Sequence, residues 1–219
     1  MSTPWAVATF VSACLAILAE PLEEPWLLWI FKPLTTLLII AYAARGAGST
    51  AAAKRWLITG LLCSLAGDVA LMWPQRGFLP GLVSFLFAHL CYLGAFTRDR
   101  PWRPGALMLL PYGVLSAPLL AVLWPGVPVE LRAPVLVYVA ALAAMAAAAG
   151  GRGWQLRGAR GAGLASLGAL GGLLFVGSDG LLAFDRFHTP LPWASAGVLS
   201  SYWLAQWCIA TSLRHRSSG

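Results

Sequence analysis

Apolar residues run along this chain in eight long blocks, separated by short clusters of glycine, proline and arginine. The blocks cover roughly residues 5–20, 25–44, 56–73, 79–97, 105–123, 132–149, 163–184 and 193–212. A helix needs about 20 mostly apolar residues to cross the hydrocarbon core of a bilayer, and the blocks approach that length. Backbone groups in lipid must find their hydrogen bonds inside their own segment, and the strict alternation of a barrel strand is missing. The pattern predicts an all-α polytopic bundle of eight transmembrane helices, forming a single integral-membrane domain over residues 1–219.

Composition strengthens this reading. Hydrophobic residues make up 59% of the chain and charged residues 11%, against about a quarter charged in an ordinary soluble domain; the mean hydropathy is +0.74. The segment Met1–Pro4 lacks the basic start of a secretory signal, so the first block is expected to stay as a span. Cys14, Cys63, Cys91 and Cys208 all fall inside apolar blocks and read as small buried hydrophobes, not as disulfides or metal ligands. A net charge of +7 would point to nucleic acid in a soluble protein, but here the basic residues punctuate the apolar blocks and serve topology instead.

Their distribution orients the chain. Arg45, Lys54, Arg55, Arg98, Arg100, Arg103, Arg152, Arg157, Arg160, Arg214 and Arg216 fall on one side, whereas only Arg76, Arg132 and Arg186 fall on the other. The excess places both termini in the cytoplasm, as for a bacterial inner-membrane protein, and turns Glu20, Glu23 and Glu24 outward. Trp26, Trp29, Trp73, Trp193 and Trp203 then read as an outer aromatic belt, and Asp185, beside Arg186, as a solvated interface residue. A weak internal echo links LAGDVALMW and FLFAHLCYL to FVGSDGLLAF and YWLAQWCIA. It divides the chain into segments 1–103 and 104–219, which would be parallel four-helix repeats.

Ionisable groups inside the hydrocarbon are costly and usually mark a site or pathway. They are Lys32, Asp68, His89 and Asp179, accompanied by Tyr92, Tyr138, Tyr202 and Gln206. Counting helical rise, Lys32, Asp68 and Asp179 lie roughly 8 to 10 Å from the outer ends of their spans, and His89 and Tyr202 roughly 13 to 15 Å. All fall in the outer half of the bilayer, which predicts one shared cavity containing both carboxylates. Blander roles exist for each. The aspartates can be structural ion-pair partners of Lys32, His89 a hydrogen-bonded core residue, the tyrosines packing residues, and Gln206 an interhelical hydrogen-bonding group.

Known catalytic motifs do not appear: there is no HExxH, no nucleophile elbow and no phosphate-binding glycine loop. His188 and His215 belong to a loop and a tail on opposite sides, so no buried multi-histidine metal site is expected, and no cofactor is implied. Intramembrane carboxylates and parallel repeats would also suit a proton-coupled transporter of lipid or small solutes.

The motifs FKPLT (Phe31–Thr35), LAGD ending at Asp68, AHxxY (Ala88, His89, Tyr92), SDxxLAF (Ser178–Phe184) and YxxAQ (Tyr202–Gln206) stand in order on spans 2, 3, 4, 7 and 8. Together they resemble the YhhN-type membrane family, which includes lysoplasmalogenase. The resemblance implies a hydrolase that splits the vinyl-ether bond of a lysophospholipid into a fatty aldehyde and a glycerophospho-base. It matches Asp68 and Asp179 to the family's acidic positions, with membrane lipid as the surroundings. Vinyl-ether cleavage requires carbon protonation, water addition and collapse of a hemiacetal, hence an acid, a base and nearby negative charge. Of the two, Asp179 is assigned as the acid and Asp68 as the ionised partner, with the reverse assignment as the alternative. Lys32, His89, Tyr92, Tyr138, Tyr202 and Gln206 support catalysis or hold substrate.

Overall fold

The computed structural model describes residues 3–46, 50–99, 105–158 and 162–214. Among them are eight α-helices: α1 (Thr3–Ile17), α2 (Pro25–Arg45), α3 (Ala51–Ala70), α4 (Pro74–Asp99), α5 (Gly105–Leu123), α6 (Val129–Gln155), α7 (Ala162–Phe187) and α8 (Ala194–Ser212). A short 3-10 turn, Trp124–Gly126, joins α5 to α6. Arg100, Arg103, Arg160 and Arg216, four of the residues that orient the chain, lie outside the described residues.

Five helices, α2, α4, α5, α6 and α7, are long and apolar enough to cross a membrane, and the chain is an integral membrane protein. The other three depart from the sequence expectation for identifiable reasons. At 15 residues, α1 is short. Lys54, Arg55 and Asp68 dilute the hydropathy of α3, and serines, Thr211 and Gln206 dilute that of α8. For α8 the cause is position. It packs against α7, α2 and α1 and buries Tyr202, Trp203, Gln206 and Ile209 among them, so it can carry polar groups that lipid would not accept.

Local signals set the helix limits. Pro25 opens α2, where its missing N–H costs nothing. Thr50 caps α3, its side chain accepting from the Ala53 N–H at 3.0 Å. The helices pack in the order α1, α2, α3, α4, α6, α7, α8, with α8 also touching α1 and α2, and α5 packs on α6 and α7. Close approach depends on small residues along α7. A methyl on Gly172 would meet Ala146 Cα of α6 at 2.9 Å, and one on Gly171 would meet Ala205 O of α8 at 2.9 Å. Helices in lipid associate by this kind of backbone contact because burying apolar surface drives nothing there.

Candidate functional site

Two carboxylates, Asp68 buried and Asp179 partly buried, organise the interior, each on a different helix and each in its own hydrogen-bonded cluster. Asp179, on α7, accepts a 2.6 Å hydrogen bond from the Tyr138 hydroxyl of α6 at Oδ2. His89 Nε2, on α4, lies 3.3 Å from that same oxygen and 3.0 Å from Tyr138 Oη. His89 is completely buried, and its Nδ1 has no partner among the described residues. An orphaned acceptor costs less than an orphaned N–H, so the ring fits best as the neutral Nε2–H tautomer, donating toward Asp179 and Tyr138. Phe175, one turn before Asp179, packs edge-on against the imidazole at 5.0 Å between centroids and fixes its plane.

Both contacts use Oδ2, so Oδ1 of Asp179 takes no hydrogen bond among the described residues. The Asp179 side chain is 15% exposed, and it lines a partly open cavity of about 110 Å³ between α4, α5, α6 and α7. Leucine, valine and phenylalanine side chains such as Leu82, Phe85, Leu119, Leu142 and Val176 line it; Asp179, Tyr138 and Ser116 supply its polar side chains. An apolar chamber with a few convergent polar groups is the usual form of a small-molecule site.

Asp68, on α3, lies elsewhere. Only 1% exposed, it accepts from Thr36 of α2 at 2.6 Å and from the Tyr202 hydroxyl of α8 at 2.8 Å. Lys32, one turn before Thr36 on α2, is also buried, at 7% exposure. From Tyr202 the network continues to Gln206 Nε2 at 3.1 Å, then from Gln206 Oε1 to the Tyr92 hydroxyl at 2.6 Å, and on to Ser64 at 3.0 Å.

The expectation of one cavity holding both carboxylates is therefore corrected. Asp179 and Tyr138 line the chamber with His89 bonded directly behind them, whereas Asp68, Lys32, Tyr92, Tyr202 and Gln206 are absent from its lining. The physical reason is an aromatic partition. Phe85, in the chamber wall, packs edge-on against Tyr202 at 5.7 Å, and Phe175 packs against both His89 and Tyr202. Depth along a helix gives the level of a side chain but not the direction in which it points.

Two further readings change. Trp203 is not part of an interfacial belt: it is buried, and its indole N–H donates to Thr36 Oγ1 at 3.3 Å. Asp185 is tied to the chain, accepting from the Leu191 N–H at 2.8 Å. Thr36, Ser64 and Phe175 belong to the clusters although sequence reasoning passed over them. The signal for Thr36 was its place one turn after Lys32. Among the described residues no three histidine, cysteine, aspartate or glutamate side chains gather as a metal site would require.

Comparison with known proteins agrees with the motifs that these clusters contain. The family model described as the YhhN family matches residues 27–213. The chain is 35% identical to lysoplasmalogenase TMEM86B of Mus musculus over 208 residues, covering 91% of this chain and 82% of the relative. It is also 35% identical to lysoplasmalogenase TMEM86B of Sus scrofa, covering 93% and 83% respectively. A lysoplasmalogenase of Mycobacterium tuberculosis is 38% identical over 96 residues, covering 41% of this chain and 37% of the relative. No solved structure matches significantly. The match spans most of the sequence and includes Lys32, Asp68, His89, Asp179 and Gln206, and on that ground this chain belongs to the YhhN family.

Proposed function

We propose that the protein hydrolyses the vinyl-ether bond of lysoplasmalogens, releasing a fatty aldehyde and a glycerophospho-base. The observation that carries the reading is Asp179: a carboxyl held at one oxygen by Tyr138 and His89, with the other oxygen free, at the wall of an apolar chamber. The relatives' name supports the same chemistry and gives the transporter alternative no comparable support.

In this scheme Asp179, in its acid form, gives its proton through Oδ1 to the alkene carbon remote from the ether oxygen. The positive charge develops on the carbon bonded to that oxygen, facing the new carboxylate. Water adds to this carbon and its proton passes to Asp179. The hemiacetal then collapses as Asp179 protonates the departing glycerol oxygen and takes up the proton of the hemiacetal hydroxyl, so one water is consumed and Asp179 ends as it began. Tyr138 and His89 hold Oδ2 throughout and keep Oδ1 directed at the substrate. The chain thus uses a single carboxyl as alternating acid and base, a role a positioned side chain fills with a gain of about 10² to 10⁴. Asp68 acts at one remove: it accepts from Thr36 and Tyr202, and it fixes Tyr202 behind Phe85.

Eight membrane crossings fit the scheme, with both termini cytoplasmic in a bacterial inner membrane and the site in the outer half. The two clusters support the four-helix repeats. Asp68 of α3 bonds to α2 and α8, and Asp179 of α7 bonds to α6 and α4. These are equivalent helices if α1–α4 correspond to α5–α8. The test is product analysis of the purified protein with alkenyl, alkyl and acyl lysophospholipids. Aldehyde from the alkenyl substrate alone is expected; intact lipid in all three, or fatty acid from the acyl form, would overturn the reading.

A further inference from the structure

Arg76, Arg132 and Arg186 stand at the end of the bundle that the sequence otherwise leaves poor in basic residues. Two of them border the same end of the chamber. The Arg186 guanidinium rests 5.0 Å from the centre of the Phe78 ring. Phe78 and Phe187, which meet edge-to-face at 5.6 Å, both line the chamber. Arg132 rests over Trp124 and donates from Nε to O of Val127, another lining residue, at 3.4 Å. The turn leading to Val127 lies against the end of α7, since a methyl on Gly126 would collide with the Phe187 carbonyl. Guanidinium groups of α6 and α7 thus flank one end of an apolar chamber.

Neither has a carboxylate partner among the described residues; Arg186 is exposed and Arg132 half-buried. A guanidinium resting on a ring keeps its N–H edge for an anion, and its planar fork suits the paired oxygens of a phosphate. Helical register ties Arg186 to Asp179. Asp179, Leu182, Ala183 and Arg186 follow spacings of three and four, which put them on one face of α7, and the first three line the chamber. From Asp179 to Arg186 the helix rises roughly 10 Å. In an alkenyl lysophospholipid seven bonds separate the alkene carbon to be protonated from the phosphorus, an extended span of roughly 8 Å. With a contact added at each end, the lipid reaches from one side chain to the other.

We infer that Arg186, with Arg132 of α6, binds the phosphate of the substrate's head group and so sets its vinyl ether at Asp179. This rests on the hydrolase reading of the Asp179 site, which it deepens by naming the residues that recognise the head group and fix the direction of the lipid. The first carbons of the aliphatic chain then lie beyond Asp179, against Val176 and Leu142. The two arginines act on binding and placement and take no part in the proton transfers.

The test compares an alkenyl lysophospholipid with the matching 1-alkenylglycerol, which lacks the phosphate, as substrates of the purified protein. Arg186→Gln and Arg132→Gln should each raise KM for the lysophospholipid about tenfold or more, the scale of a lost hydrogen bond to a charged group, and leave kcat/KM for the alkenylglycerol unchanged. Arg186→Lys, which keeps the charge, should recover part of the loss. Arg76→Gln, two residues from Phe78 and so on another face of α4, should behave as wild type on both substrates. Equal losses on both substrates would give the arginines a merely structural role, and no loss on the lysophospholipid would put the phosphate elsewhere; either result overturns the inference. Binding of a saturated-ether lysophospholipid, measured against the matching alkylglycerol, separates it from the hydrolase reading. A preference for the phosphate that Arg186→Gln abolishes, with no aldehyde from any alkenyl substrate, would reject hydrolysis while upholding the phosphate site. Competition by a two-chain phospholipid as strong as that by the lysolipid would assign the arginines to bulk lipid head groups and contradict the assignment.

Discussion

At Asp179, two donors converge on one oxygen and leave the other free. Removing one donor should therefore alter orientation more than binding. Tyr138→Phe is expected to lower kcat about tenfold or more, as the loss of a charge-assisted hydrogen bond allows, with KM little changed; steady-state kinetics on an alkenyl lysolipid would check this. Asp68 should respond differently. In Asp68→Asn an amide replaces a buried carboxylate that accepts from two hydroxyls. A destabilisation of about 1 to 3 kcal/mol is expected from leaving a buried hydroxyl without its acceptor, read as a lower melting temperature in detergent. Polar residues set in hydrocarbon are conspicuous, which is why His89, Tyr92, Tyr138, Tyr202 and Gln206 were legible in the sequence. Thr36 was not, because a threonine in an apolar helix can satisfy its hydroxyl on its own backbone, as Thr35 does on Phe31 O at 2.7 Å.

Elements were the most legible level, since proline, glycine and arginine clusters interrupt each apolar block. The predicted block 105–123 matches α5, and 193–212 differs from α8 by one residue at its start. Lengths were less legible: α6 reaches Gln155 and carries Arg152 as a buried residue near its end, six residues after the block at 132–149 had been expected to stop. Arg152 donates to Ser212 O of α8 at 3.2 Å, and a tertiary partner of this kind leaves no trace in hydropathy. The contact between α7 and its neighbours is a second such feature. Leucine at Gly171 would drive its side chain into Ala205 and Ile209 of α8, and overpacking of this kind costs about 1 to 3 kcal/mol or more. Gly171→Leu should therefore lose thermal stability in detergent, whereas Gly163→Leu, where a methyl meets nothing within 4 Å, should not.

For the molecule as a whole, the sequence carried the number and order of the helices but not the separation of its two carboxylates, because a hydrophobic pattern contains no information about which aromatic rings will stand between them. Phe85 and Phe175 read as ordinary apolar positions until they are packed. Orientation rests on the basic residues alone and is testable independently of chemistry. A cysteine replacing Glu23 should react with an impermeant thiol reagent on intact cells, and one replacing Ser218 should resist it until the membrane is opened; the reverse pattern would invert the topology. The central claim, that one carboxyl in an apolar chamber performs the proton transfers, is tested most directly by the initial rate of aldehyde release from an alkenyl lysophospholipid. The comparison is between the wild-type protein and Asp179→Asn of equal thermal stability. The variant should be slower by about a hundredfold or more, in line with the loss of an acid–base group; undiminished aldehyde release by the folded variant would contradict the account.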